Sequence, residues 1–453
     1  MIIFAICKIV YYYKIKNYQK LIDNIENMGP FFVKCAQFIS CRYDLFDDDF
    51  LYYLQKLCAY DEVSQEKNIF YGDEVYKIIE KEFQINSYCE LYRSIDLKPA
   101  SVGSLAQVHK AVTHDNKEVA IKILRPNAKN NFISNLKKIK IIIYFLKITT
   151  PKRYKYQEIF DSMYISMEME LDLRLEAANT SELREKMHNK IKFLIIPTVD
   201  WLKTTENILT TEWISCKKID SLTGGLSSHN LLYIFFYQVL IDGFFHADLH
   251  SGNLMHDNNG KIVMVDFGIV GRLSEITRLT IINILDAFIK KDYTIIANIY
   301  LDTGYITQKQ YNFFLISCRA IGESLMNRNL QDLSIANLLT QLLKLTKTLK
   351  IPVQVEFLLF QKNLLFIESH CRKIGHSINP WNIISNIIYK KHCNHRLHKV
   401  YYHYLIYSKK IKIIEFGVIE FMKLKSSKAH NKSFIDLLIL IVLSMLLLFN
   451  YIK

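Results

Sequence analysis

Asp248 and Asn253 lie five residues apart in GFFHADLHSGN (Gly243–Asn253), and an apolar stretch, GKIVMVDFG, follows and ends in Asp266-Phe267-Gly268. These are the residue types that magnesium-assisted phosphoryl transfer needs. Mg²⁺ is a hard cation that keeps several waters and takes one or two side-chain oxygens together with phosphates. Asp266 can bridge metal to phosphates, and Asn253 can hold the metal from the neighbouring loop. Asp248 can orient or deprotonate an acceptor hydroxyl. A histidine metal site at His246, His250 and His256 is a competing reading, but it leaves the Asp248 to Asn253 spacing unexplained. A turn capped by Asp and Asn side chains is the plainest alternative.

Asp-x4-Asn followed by a strand and Asp-Phe-Gly is the protein-kinase order, and that order requires partners upstream. Lys122 stands in KEVAIKIL, where Val119, Ile121 and Ile123 share one face of a strand and Ala120 and Lys122 the other. A lysine so placed contacts the α- and β-phosphates and needs an acidic partner on a helix. MEMELDLRLEAANTSE supplies Glu168, Glu170, Asp172 and Glu176. On one unbroken helix Asp172 and Glu176 share a face, while Glu170 points about 200° away from Asp172, so the three converge only through a bend or long side chains. No G-x-G-x-x-G loop precedes Lys122. KPASVGSLAQVHKA (Lys98–Ala111) stands in its place and reads as a loop. Its Ala100, Ser101, Val102, Gly103 and Ser104 are small enough at most positions for backbone N–H groups to approach phosphates.

The elements that must position these residues follow from periodicity. Residues 1–95 read as a helical extension, with apolar positions three and four apart in FFVKCAQFISCRYDLFDDDFLYYLQKL. Residues 96–215 read as a small lobe of strands plus a helical region, Tyr156–Lys190, and a strand in Glu206–Ile214. Residues 216–400 read as a helical large lobe carrying both loops. Strands first and helices later predict an α+β, two-lobed, kinase-like fold. SFIDLLILIVLSMLLLFNYI (Ser433–Ile452) is long enough to span a membrane and carries one charge, Asp436. Lys423, Lys425, Lys428 and Lys432 precede it and only Lys453 follows, which keeps the body of the protein cytoplasmic. The 453-residue chain has a net charge of +14. Beside a membrane anchor that charge points to lipid and not to nucleic acid. Its 9 cysteines form no C-x-x-C pair, which argues against a disulfide framework or thiolate zinc site. His392, Cys393, His395, His398 and His403 cluster near the end but fit no zinc template.

Together these motifs resemble the UbiB family of atypical kinase-like proteins, which support ubiquinone (coenzyme Q) biosynthesis. KCAQ (Lys34–Gln37) resembles the family's K-x-G-Q motif, with Ala36 in the glycine position. PASVGSLAQVHKA resembles its alanine-rich loop, with Ser101, Val102 and Gly103 where alanines are common. ELDLRLEAAN (Glu170–Asn179) resembles its E-x-D helix and TTEWI its hinge, while GFFHADLHSGN and VDFG resemble its catalytic and metal loops. The resemblance implies ATP and Mg²⁺ as cofactors, with Lys122 and Glu176 as the small-lobe ion pair and Asp248 as the catalytic aspartate. It implies Asn253 and Asp266 as metal ligands, with Ala100 to Ser104, Lys122 and Glu212 at the nucleotide. Lys34, Gln37, Glu170 and Asp172 become family-specific elements through which an N-terminal helix packs over the nucleotide site. It implies a membrane lipid or isoprenoid quinone precursor and quinone-biosynthesis proteins as partners. The implied location is a bacterial inner membrane, or a mitochondrial one. A protein kinase, a non-catalytic lipid-binding scaffold and a quinone-pathway hydroxylase are the rival functions. The last lacks a dinucleotide fingerprint or an iron-binding triad.

Overall fold

A computed structural model describes residues 8–9, 11–40, 48–59, 70, 72–103, 105–126, 128–149, 156–219, 225–326, 334–351, 353–373 and 378–391. All of them belong to one compact unit, Met1–Cys393. The predicted span Ser433–Ile452 and the cluster His392 to His403 lie outside the described residues, as does Ser104. Among the described residues no helix is long and apolar enough to cross a membrane.

The described residues of the extension include α1 (Tyr18–Asn27), α2 (Pro30–Ser40), α3 (Asp48–Ala59) and α4 (Asp73–Phe83), while Ser94 and Ile95 at its end pair into a strand. Leu21, Ile22 and Ile25 of α1, Phe31, Phe32 and Cys35 of α2, and Phe50, Leu51 and Leu54 of α3 share one apolar core. Phe132, Phe160, Met163 and Met167 from later helices complete that core. The apolar stripe therefore ties the extension to the small lobe, each fully buried leucine contributing about 2 kcal/mol.

The small lobe holds β1 (Ser94–Ile95), β2 (Ser101–Val102), β3 (Ala106–Val112) and β4 (Glu118–Leu124), then α5 (Ala128–Thr149), α6 (Tyr156–Met169) and α7 (Leu173–Met187), then β5 (Leu194–Ile195) and β6 (Ile208–Glu212). An antiparallel sheet runs β1-β3-β4-β6, with β2 beside β3. Alternation along β4 is as read from the sequence: Val119, Ile121 and Ile123 pack with Val75 and Ile79 of α4 and with Ile208. The opposite face packs Ala106, Leu124 and Leu209 against Leu173 and Ala177 of α7.

One expectation needs correction here. Lys98–Ala111 is not an open loop, because β2 pairs with β3 in the register Ser101 to Val108 and Val102 to Gln107. Polar Gln107 and His109 hid β3; both are buried, bonded to each other and to the carbonyls of Phe70 and Asp96. The helical region Tyr156–Lys190 is present as two helices. It breaks between Met169 and Leu173, where Asp172 accepts the Arg174 backbone N–H at 3.0 Å as the N-cap of α7. An aspartate satisfies an orphan helix donor at a cap and competes with the helix when inside it.

The large lobe begins with β7 (Lys217–Lys218), α8 (Gly225–Tyr237), a π-helical turn Gln238–Asp242 and β8 (Phe244–His246). β9 (Leu254–His256), β10 (Ile262–Met264) and β11 (Val270–Arg272) follow. The remaining helices are α9 (Glu275–Ile289), α10 (Tyr293–Asp302), α11 (Gln308–Met326), α12 (Ile335–Thr348), α13 (Val355–Lys373) and α14 (Pro380–Lys391). One sheet is ordered β5-β10-β9-β7, and a ribbon pairs β8 with β11. Gly243 makes the turn from the π-helical segment into β8 at φ 66°, where a side chain would be strained and its Cβ would press on the Leu273 carbonyl at 3.2 Å.

Candidate active site

Lys122 projects from the face of β4 opposite Ile121 and Ile123 and meets α7. Leu173 and Ala177 seat that helix on the sheet, which turns Glu176 toward the lysine. Both Glu176 carboxylate oxygens lie 2.8 Å from Lys122 Nζ, and Asp266 Oδ1 lies 3.0 Å from the same nitrogen. Burial opposes the charge on Lys122, but Asp266 and Glu176 outweigh it and hold its pKa above the ordinary lysine range. Burial pushes Glu176 up to about 7 in spite of Lys122, with Asp266 pushing the same way. Asp266 itself falls to about 2, because Lys122, Lys34 and His250 outweigh its partial loss of water.

Glu170 occupies the break between α6 and α7, which frees it from the helical spacing that would have aimed it away. It pairs with Lys34 of α2 at 3.2 Å, and both side chains are largely buried. An added Cβ on Gly268 would lie 3.8 Å from Glu176 Oε2 and 3.9 Å from Glu170 Cγ, so both glutamates face the Asp-Phe-Gly loop. Asp172 does not join them. Its carboxylate is bonded to Arg174, through the backbone at 3.0 Å and the guanidinium at 2.9 and 2.7 Å. The Gln37 side chain lies outside the described residues.

The two loops of the large lobe are fastened to each other. Asn253 is buried; its Nδ2 donates to the Asp248 carbonyl at 3.0 Å, and its carbonyl accepts from Val265 N at 3.1 Å. That leaves Asn253 Oδ1 as an oxygen donor set one residue across from Asp266. His246 is fully buried and accepts the Asp248 N–H at Nδ1, so its Nε2–H donates to the Val265 carbonyl at 3.2 Å. Burial lowers its pKa and keeps it neutral, as those two bonds require. His250 Nδ1 accepts the Gly252 N–H, and His256 Nδ1 bonds the Asp257 carbonyl. The three histidines fasten loops. Among the described residues no three His, Cys, Asp or Glu side chains form a metal cluster. An Asn–Asp oxygen pair, which phosphates and waters would complete, nevertheless suits Mg²⁺.

The expected nucleotide elements are placed as follows. Gly103 N–H donates to the Ala106 carbonyl at 2.8 Å, closing the turn from β2 to β3, and Ala100 N–H donates to Val108. Gly103 has no positive φ, so the turn does not draw on glycine's conformational freedom. Arg125, which the motifs did not single out, grips this turn by donating to the Gly103 carbonyl at 3.2 and 2.9 Å. Glu212 ends β6, and its carboxylate accepts from Thr198 N and Oγ1.

Sequence reasoning also missed two residues of α13. Lys362 Nζ lies 2.6 Å from Asp248 Oδ1, and with Lys34 and His250 it holds that carboxyl well below the usual range against the effect of burial. Asn363, fully buried, donates to the His246 carbonyl at 2.6 Å and accepts from Leu249 N at 2.9 Å. A polar run, Gln361-Lys362-Asn363, between the apolar runs Phe357–Phe360 and Leu364–Ile367 was the available signal.

A five-stranded small lobe, a lysine–glutamate pair and an Asp-Phe-Gly loop beside an Asp-x4-Asn loop define a kinase-like α+β protein. The ABC1 atypical kinase-like domain matches residues 62–300 and the UbiB helical domain matches residues 318–379. A "Probable protein kinase UbiB" of Marinobacter nauticus is 31% identical over 373 residues, which is 79% of this chain and 67% of the relative. The protein of that name from Xylella fastidiosa is 29% identical over 381 residues, covering 80% and 68%. The solved structure of Mycobacterium tuberculosis Rv3197, in complex with erythromycin, matches with a TM-score of 0.56 at 18% identity, over 84% of this chain and 98% of that one, and shares the fold. The chain belongs to the UbiB family of atypical kinase-like proteins.

Proposed function

We propose that the chain binds ATP with magnesium and hydrolyses it in support of membrane-bound quinone synthesis, anchored through Ser433–Ile452 with the kinase-like part on the cytoplasmic side. The carrying observation is the Lys34–Glu170 pair, which fixes α2 beside the loops of Asp248 and Asp266. A covering helix at that point would disfavour an extended polypeptide and favour water or a small acceptor.

In this reading Lys122, set by Glu176, binds the inner phosphates, and the turn at Gly103 lies against them. Asn253 and Asp266 would hold the magnesium, which neutralises phosphate charge and aligns the terminal group. Asp266 must then exchange Lys122 for the metal; its side chain is 46% exposed and accessible for that exchange. Asp248 orients the attacking hydroxyl and takes its proton. A quinone precursor or other membrane lipid, together with quinone-biosynthesis proteins, is the partner that a membrane anchor in the same chain supports.

The test is ATP turnover by the full chain on membranes containing quinone precursor, with Asp266→Asn as control. Turnover should fall at least a hundredfold in the variant. Equal turnover in both proteins would end the ATPase reading. The name carried by the bacterial relatives favours a second reading, protein phosphorylation. Labelled phosphate moving from ATP to protein, with no free phosphate released, would establish it instead.

A further inference from the structure

The loop Asp248–Asn253 reads Asp-Leu-His-Ser-Gly-Asn and contains no lysine or arginine. Transfer of a terminal phosphoryl group spreads negative charge over its outer oxygens, and such sites place a cation there. Lys122 is engaged by Glu176 and Asp266, and Lys34 by Glu170. The cation beside Asp248 comes instead from α13, in the helical domain beyond the kinase-like one. Lys362 Nζ sits 2.6 Å from Asp248 Oδ1, with the two side chains 24% and 21% exposed. That exposure leaves the pair open to an incoming ligand. Asn363, the next residue, is fully buried and grips the backbone on both sides of Asp248 through His246 and Leu249. The root of the Lys362 side chain is thus fixed against the loop.

A purely structural role explains this poorly. Asn363 already fastens α13 to the loop, so the Lys362–Asp248 pair is not needed to hold the helix there. The pair also works against Asp248, because a carboxylate bonded to an ammonium is a weaker proton acceptor. We propose that Lys362 is the terminal-phosphate ligand of this site. When a nucleoside triphosphate binds, the ammonium swings from Asp248 to the terminal phosphate, and the same movement frees Asp248. The proposal rests on the ATP reading above. In the transfer, the bond from the terminal phosphorus to the β,γ-bridging oxygen breaks, and that oxygen leaves with ADP, keeping the electron pair. The oxygen of water bonds to phosphorus, its proton passes to Asp248, and Lys362 stays protonated throughout.

The experiment measures magnesium-dependent binding of ATP and of ADP, and ATP turnover, for the full chain and for Lys362→Met and Lys362→Arg. ADP lacks the phosphate in question and serves as the internal control. In Lys362→Met, ATP affinity should fall roughly tenfold more than ADP affinity, and kcat roughly a hundredfold. Lys362→Arg should recover the preference for ATP. Should the methionine variant fail to fold, Lys362→Gln is read in the same way. Equal losses for ATP and ADP, or no loss for either, would overturn the proposal. A wild-type chain that binds neither nucleotide would remove the ATP reading and this proposal together. One that binds both without turnover removes only the ATPase reading, and the ATP-to-ADP ratio still decides the role of Lys362.

Discussion

Asp266 holds φ 61°, in the left-handed region that most side chains avoid. Aspartate and asparagine tolerate it because their short polar side chains bond locally, here Oδ1 with Gly268 N at 3.4 Å. Asp266→Asn should therefore keep the backbone, and Asp266→Val should melt about 1–3 °C below it through about 1–2 kcal/mol of strain. Thermal unfolding of the two variants checks this, and it matters because a clean loss of turnover needs an intact loop. Glu176 sets a second condition. Its pKa is raised from the ordinary glutamate value to about 7, first by burial. A raised acid contributes stability that is complete below the ordinary glutamate range and is lost as pH rises through about 7. Above that pH the carboxylate is ionised and holds Lys122 toward the nucleotide. Below it Glu176 is neutral and Lys122 is left to Asp266. Nucleotide affinity should therefore weaken as pH falls through about 7, and Glu176→Gln should flatten that dependence at the weaker value. Titrating nucleotide binding from pH 5.5 to 8.5 in both proteins provides the measurement.

Between elements, short contacts decide whether the loops stand in place. Gly271 of β11 lies opposite Phe245 of β8, and a Cβ there would sit 2.2 Å from the Phe245 ring. Gly271→Ala should force that ring out of its packing and cost about 1–3 kcal/mol, seen as a lower melting temperature. Asn363→Ala would leave the His246 carbonyl and Leu249 N–H without their partner inside the protein. It should cost about 1–3 kcal/mol and lower kcat more than it raises KM, which steady-state kinetics on the folded variant would read. These contacts also mark where the sequence stopped being legible. β4, with Lys122 on the face turned to α7, was readable because its alternation sets Val119, Ile121 and Ile123 in the core on the other face. The meeting of Glu170 with Lys34 was not readable from periodicity. An unbroken helix forbids it, and the break depends on Asp172 preferring a cap to a helical position. β3 was hidden by Gln107 and His109, polar residues that bury because each finds a partner. Lys362 and Asn363 stand more than a hundred residues from Asp248, and no local pattern links helix to loop across that distance.

At the scale of the whole chain, anchorage is the simplest expectation to test. Removing residues 433–452 should move the protein from the membrane fraction to the soluble one while leaving the melting temperature of the remainder within about 2 °C. Fractionation followed by thermal unfolding measures both. The grip of Asn363 on the backbone around Asp248 bears on something else, the inheritance of this architecture. The kinase-like match ends at residue 300, and the helical match that contains α13 begins at 318. Two segments that count as separate families therefore share one loop, and a change in either alters the fit of the other. Recombination between distant relatives at that boundary would join a loop to a helix that had never been selected to hold it. Such hybrids should fold and still work poorly, so the two segments are expected to have travelled through evolution as a pair.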